Sequence, residues 1–131
     1  MSQENVDLIL GLFSRFNPED LDRWGELWHP ESESTPAPGW PEPGPFVGRE
    51  AIINQFERLF ADWSEYELED VEVAADPGDW VVATWVLRAR GAASGIETRM
   101  DLAAAFRVED GSIHEGHFRF DRDEALAVAG L

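Results

Sequence analysis

The order of two apolar periodicities constrains this chain most: helical spacing fills its first half, and strand-length runs fill its second. Val6, Ile9, Leu10, Phe13 and Phe16 recur at helical spacing, which predicts a helix from about Gln3 to Phe16 with one apolar stripe. Asn17-Pro18-Glu19-Asp20 joins a capping side chain, a proline suited to the first helical position and acids for the positive end of the dipole. A second helix should follow, carrying Leu21, Trp24, Leu27 and Trp28 inward and ending before Pro30. A third, after Gly48, sets Ile52, Phe56, Leu59, Phe60 and Trp63 on one face. Between them, residues 31–48 are rich in Pro, Gly and Ser, with Trp40 and Phe46 interspersed. At 131 residues the chain is too short for two good cores, so this segment reads as a short strand plus an ordered flap rather than a linker.

Beyond the third helix the pattern is that of a sheet. Tyr66, Leu68, Val71 and Val73 form one β-rich run, and Asp76-Pro77-Gly78-Asp79 is strong turn chemistry. A second run spans Trp80 to Arg90, a turn spans Gly91 to Gly95, and a third run spans Ile96 to Val108. Asp110-Gly111 signals a hairpin into a last strand ending at Phe120. Asp121, with Glu124 three residues on, caps a closing helical turn. Three amphipathic helices and an antiparallel meander bury their apolar faces together if the sheet curls around the helices. The expected fold is a single α+β domain over residues 1–131, a funnel open at one end with a strongly curved, mostly antiparallel sheet and a short C-terminal helical turn.

Composition narrows the function classes. Lys+Arg 10 against Asp+Glu 27 leaves a net charge of −17, which repels phosphate backbones and argues against nucleic acid and anionic membranes as partners. There is no cysteine, so disulfides, thiolate metal sites and a Cys nucleophile are excluded. The first residues lack the basic patch and apolar run of a signal peptide, and no stretch is long enough to span a membrane, so cytoplasmic residence is expected. His29, His114 and His117 have a spacing that suits neither one strand face nor a helix pair, so neither a metal site nor a cofactor is expected.

Several segments, taken together, are recognisable. They are Asn17-Pro18-Glu19-Asp20-Leu21-Asp22, Leu27-Trp28-His29-Pro30-Glu31, the run from Trp40 to Ile52, Val108-Glu109-Asp110-Gly111-Ser112-Ile113 and Phe120-Asp121-Arg122-Asp123-Glu124-Ala125-Leu126. In this order and spacing the chain resembles the SnoaL-like polyketide-cyclase family. The resemblance implies the nuclear transport factor 2-like cone, in which a curved sheet and three helices enclose a pocket and two copies pair sheet against sheet. Members include isomerases, cyclases, dehydratases, epoxide hydrolases and proteins without known activity, so the fold does not fix the chemistry. Ketosteroid isomerases in this superfamily use an Asp base and a Tyr donor, where this sequence places Pro36 and Leu12. Limonene epoxide hydrolases use an Arg-x-Asp pair and a further Asp, where it places Ala83, Trp85 and Phe118. Both catalytic sets are therefore missing.

A base acting on an apolar substrate needs a desolvated carboxylate or imidazole. Glu33 lies near the family's base position, and a slip of two or three residues in the Pro-rich segment would bring it into the pocket. His114 faces inward if Phe118 and Phe120 do, which leaves His117 on the outer surface. Tyr66, the one tyrosine, would donate to a ligand carbonyl or pack at the rim. Arg99 and Asp101 share one strand face and read as an outer ion pair. Phe13, Trp28, Trp40, Phe46, Phe56, Phe60, Ala83, Trp85 and Phe118 form the expected pocket, and whatever space remains inside is apolar. The reading is a protein that binds a small hydrophobic molecule of polyketide, terpenoid or steroid type. Isomerase, cyclase or hydratase chemistry would run through Glu33 or His114 with Tyr66. The alternatives are a noncatalytic carrier and a structural homodimer module whose cone is filled by its own rings.

Overall fold

A computed structural model of the chain describes residues 3–75 and 78–131, so the turn expected at Asp76-Pro77-Gly78-Asp79 lies partly outside the described residues. The first helix, α1 (Gln3–Ser14), is followed by a single 3-10 turn at Pro18–Asp20 and a short helix α2 (Leu21–Gly25). Asn17 caps that turn as its chemistry predicts, its side-chain oxygen accepting from the backbone N–H groups of Glu19 and Asp20 at 3.0 Å each. The second helix stops earlier than expected, and Trp28 opens a strand instead, β1 (Trp28–Thr35). Gly25 is a weak helix former, set against Ile53 with no room for a Cβ, and the Ile113 N–H reaches back to the Leu27 carbonyl at 2.9 Å. Pro30 thus sits inside a strand, where the ladder is broken between Trp28 and Glu33.

Then come β2 (Phe46–Val47), α3 (Arg49–Ala61), β3 (Trp63–Ala75), β4 (Trp80–Gly91), β5 (Glu97–Glu109), β6 (Ser112–Arg119) and α4 (Arg122–Val128). Asp121 caps α4 by accepting from the Glu124 N–H at 2.8 Å. The strand order is β2-β1-β6-β5-β4-β3. From β3 to β6 every pairing is antiparallel, but β1 joins β6 in parallel, so the sheet is mixed and the meander is only part of it. Four helices on this curved, unclosed sheet give the α+β cone.

Strand alternation sorts side chains between two faces. Val81, Ala83, Trp85, Leu87, Leu102, Ala104, Phe106 and Ile113 join Ile9, Leu12, Trp24, Trp28, Ile52 and Phe56 in the main core. Their neighbours Val82, Ala103 and Ala105 form a second cluster with Ala125 of α4 on the other face. That helix covers part of the outer surface through which the resemblance implies pairing with a second copy. No described helix is long and apolar enough to cross a membrane.

Candidate functional site

Helices α1, α2 and α3 lie against the inner face of the sheet, and between them and the sheet is a cavity of about 80 Å³. Its wall takes Leu12, Phe13 and Phe16 from the α1 side, Pro36, Ala37 and Trp40 from the flap, Gln55, Phe56 and Leu59 from α3, and Trp85, Phe106 and Phe118 from the sheet, among others. The rings meet largely edge to face: Phe13 on Trp85 at 4.9 Å, Phe16 on Phe56 at 5.5 Å and Phe106 on Phe118 at 5.9 Å. The interior is therefore mostly occupied by the protein's own aromatics, and the remaining space is about half the ~150 Å³ of an engineered dry cavity that admits benzene.

A wider surface groove of about 540 Å³ lies alongside, lined by Ile96, Met100 and Phe120 among others. Trp40, Leu59, Trp63 and Leu87 line both spaces and form the partition between them. Trp40 sits on the flap, which Glu42 ties to α3 through a 2.7 Å ion pair with Arg58. Both side chains of that pair are well exposed, and exposed pairs hold weakly.

Of the rings expected in the pocket, Phe13, Trp40, Phe56, Trp85 and Phe118 line the cavity. Trp28, Phe46, Phe60 and Ala83 do not. Trp28 is fully buried against Trp24 and Phe106, with its ring over Gly116, where a Cβ would meet it at 2.6 Å. Ala83 is likewise sealed in the core, Phe60 is enclosed by Phe16, Trp63 and Tyr66, and Phe46 lies on β2 under Arg58. Pro36 and Leu12, which the resemblance puts at the isomerase base and donor positions, are both on the wall.

The three candidate acid–base groups lie elsewhere. Glu33 is half-buried and alternates with Ser32 and Ser34, which are the buried members of β1, so its carboxylate belongs to the opposite face. His114 sits at a bulge, where Val108 and Arg107 pair with Ile113 and Glu115 and leave it as the extra residue. The bulge turns Ile113 inward instead, and the His114 ring stacks on His29 at 4.3 Å and 24°. The Nδ1 of His29 in turn accepts from the Glu31 N–H at 3.0 Å. Tyr66 donates its hydroxyl proton to the Phe16 carbonyl at 3.0 Å, and burial pushes its phenol above the ordinary value. The three are not brought together, and among the described residues no ionisable side chain lines the cavity. Arg99 pairs with Glu69 at 2.8 Å rather than with the expected Asp101. No three described His, Asp or Glu residues are grouped to hold a metal ion.

Sequence reasoning missed Gln55. It falls on the helical stripe of α3 between Ile52 and Leu59, where a polar residue in an apolar series was the available signal. Only 3% of it is exposed, and its side-chain Oε1 has no hydrogen-bond partner. Trp24, 2% exposed and on the same wall, has an unpartnered Nε1–H.

A mixed curved sheet, helices on its concave face and an apolar hollow between them make up a fold that the chain shares with NTF2-like proteins. Residues 9–116 match the SnoaL-like domain, and the chain belongs to that family. Its fold is shared at a TM-score of 0.80 with an NTF2-like protein of unknown function from Burkholderia pseudomallei, 19% identical, with 97% of each chain covered. A candidate polyketide cyclase from Xanthomonas campestris pv. campestris aligns at TM-score 0.81 and 21% identity, over 95% of this chain and 96% of that one. TerC, co-crystallised with polyporic acid, aligns at 0.78 and 20%, over 98% of both chains. Among curated proteins, none matches the sequence.

Proposed function

We propose that the protein binds a small, neutral, ring-sized apolar molecule without acid–base chemistry, in the inner cavity of about 80 Å³ enlarged toward the outer groove as Trp40 of the flap yields. The observation that carries this reading is the wall itself, which is aromatic and aliphatic with no ionisable side chain among the described residues. Apolar surface of this kind gains free energy by leaving water, roughly in proportion to the area covered. A base or acid working on such a guest would have to reach it within hydrogen-bond distance, and the described wall offers none. Pro36, Leu12, Trp85 and Phe118, at positions where catalytic relatives are implied to carry polar groups, support binding over turnover. The co-crystallised TerC supports small-molecule binding within the same fold.

Entry is proposed past Trp40, the one partition residue carried by the flap. The test is gentle mass spectrometry of the freshly purified protein, together with thermal melts in a series of single-ring and fused-ring hydrocarbons. A co-purifying apolar molecule, or a melting temperature that rises with ring compounds and not with aliphatic acids, is the expected result. An empty protein whose melting temperature no ring compound raises overturns the proposal and leaves the filled-cone module.

A further inference from the structure

Gln55 is the polar exception on an otherwise greasy wall. Apart from indole N–H groups, it is the only polar side chain among the described lining residues. Its amide oxygen is buried without a partner, as is the Trp24 Nε1–H on the same wall. Buried polar atoms almost always find partners, and a Leu or Met at this helical position would fill the same space without the desolvation cost. The amide oxygen and the indole N–H are thus an acceptor and a donor, each without a partner, on residues of one wall.

Resting on the binding reading above, we propose that Gln55 selects the guest, and that the guest is a neutral small ring carrying a hydroxyl group. The chemistry narrows the choice. A carboxylate would bury its charge with no cation on the described wall, and an ammonium would do so with no anion. A ketone has no proton to give the Gln55 oxygen. A hydroxyl both donates and accepts, so it meets the amide in either orientation.

The placement agrees. Leu59 belongs to the partition with the outer groove, and Gln55 lies one helical turn earlier on the same face, about 6 Å along α3.

The test compares phenol with toluene, which differ by a hydroxyl in place of a methyl, against wild type and Gln55→Leu by calorimetry. Wild type should prefer phenol, and the phenol-to-toluene affinity ratio should fall by about tenfold in Q55L. The unliganded Q55L protein should melt no lower than wild type, since it buries no orphaned amide. In wild type, the Gln55 side-chain amide resonances should move with phenol and stay with toluene, a reading that does not depend on any variant folding. An unchanged ratio with both compounds still binding, or equal movement of the amide with both, overturns the role of Gln55 and leaves the binding proposal standing. A large drop in the melting temperature of Q55L shows the amide to be structural and overturns it too. Binding of neither compound to wild type overturns the small hydroxylated ring as the guest, and the binding reading then stands or falls on the co-purification and melting tests above.

Discussion

The two faces of β4 and β5 differ by one residue of register and by nearly everything else. Facing the helices, Val81, Ala83, Trp85 and Leu87 are buried and uncharged. Facing outward on the same strands, Arg88 is shared by Glu67 at 2.5 Å, Glu97 at 3.0 Å and Glu69 at 3.6 Å, while Arg90 lies 3.7 Å from both Glu65 and Glu97. The net charge of −17 is displayed on a surface that has little to do with the cavity, so a strongly acidic sequence encloses an interior without charge. Acidity here is informative about solubility and about which polyanions are repelled, and silent about the guest.

The difference can be broken from the inside first. Phe106 is fully buried, lies on the cavity wall and packs on both Trp28 and Phe118. Phe106→Ala should cost about 3–5 kcal/mol of unfolding free energy in urea titrations, through lost transfer energy and an enlarged void. A loss below ~1 kcal/mol would mean that the inner face is not close-packed. Next in size is Gly116→Val, which pushes a side chain into the Trp28 ring. Overpacking should cost about 1–3 kcal/mol, read from the same titration.

These two positions also mark how far the sequence could be read. Helical stripes, caps at Asn17 and Asp121 and the Asp110-Gly111 hairpin are local, and local chemistry determines them. The spacing of Trp28 from Trp24 suits a helix, and only its pairing with Ile113, far along the chain, makes it a strand residue. The parallel β1–β6 pairing and the bulge at His114 are set by such distant partners and leave no local pattern. Which rings bound empty space and which fill it depends on how side chains interlock. Phe60 and Phe56 therefore share a helix face in the sequence and differ in the structure.

On the outer face the expected effects shrink. Arg88→Met removes three ion pairs at once, yet its partners remain hydrated and it is itself about a third exposed. The urea midpoint should shift by only a fraction of the Gly116→Val effect, and that shift should fade in molar salt as screening grows. A salt-insensitive loss as large as that of Gly116→Val would instead show that the methylene stem of Arg88 is packed like a core residue.

The smallest effect is also the one most sharply tied to pH. Glu115 accepts from Arg107 and lies 3.0 Å from Nε2 of His117, and the guanidinium first, then the imidazole, hold its carboxyl below the ordinary value of 4.5 against the opposing pull of burial. Because the unfolded chain then binds the proton more readily than the folded one, the carboxylate adds stability that is complete above 4.5 and is lost as pH falls through the depressed folded value. Glu115→Gln should therefore lower the melting temperature at neutral pH, and the gap to wild type should close as the medium is acidified below 4.5. The deficit of Phe106→Ala, which involves no proton, should stay level over the same range. A gap for Glu115→Gln that is equally level would show that the amide loses hydrogen-bond geometry rather than charge, and the outer face would then be held together by the same short-range packing as the inner one.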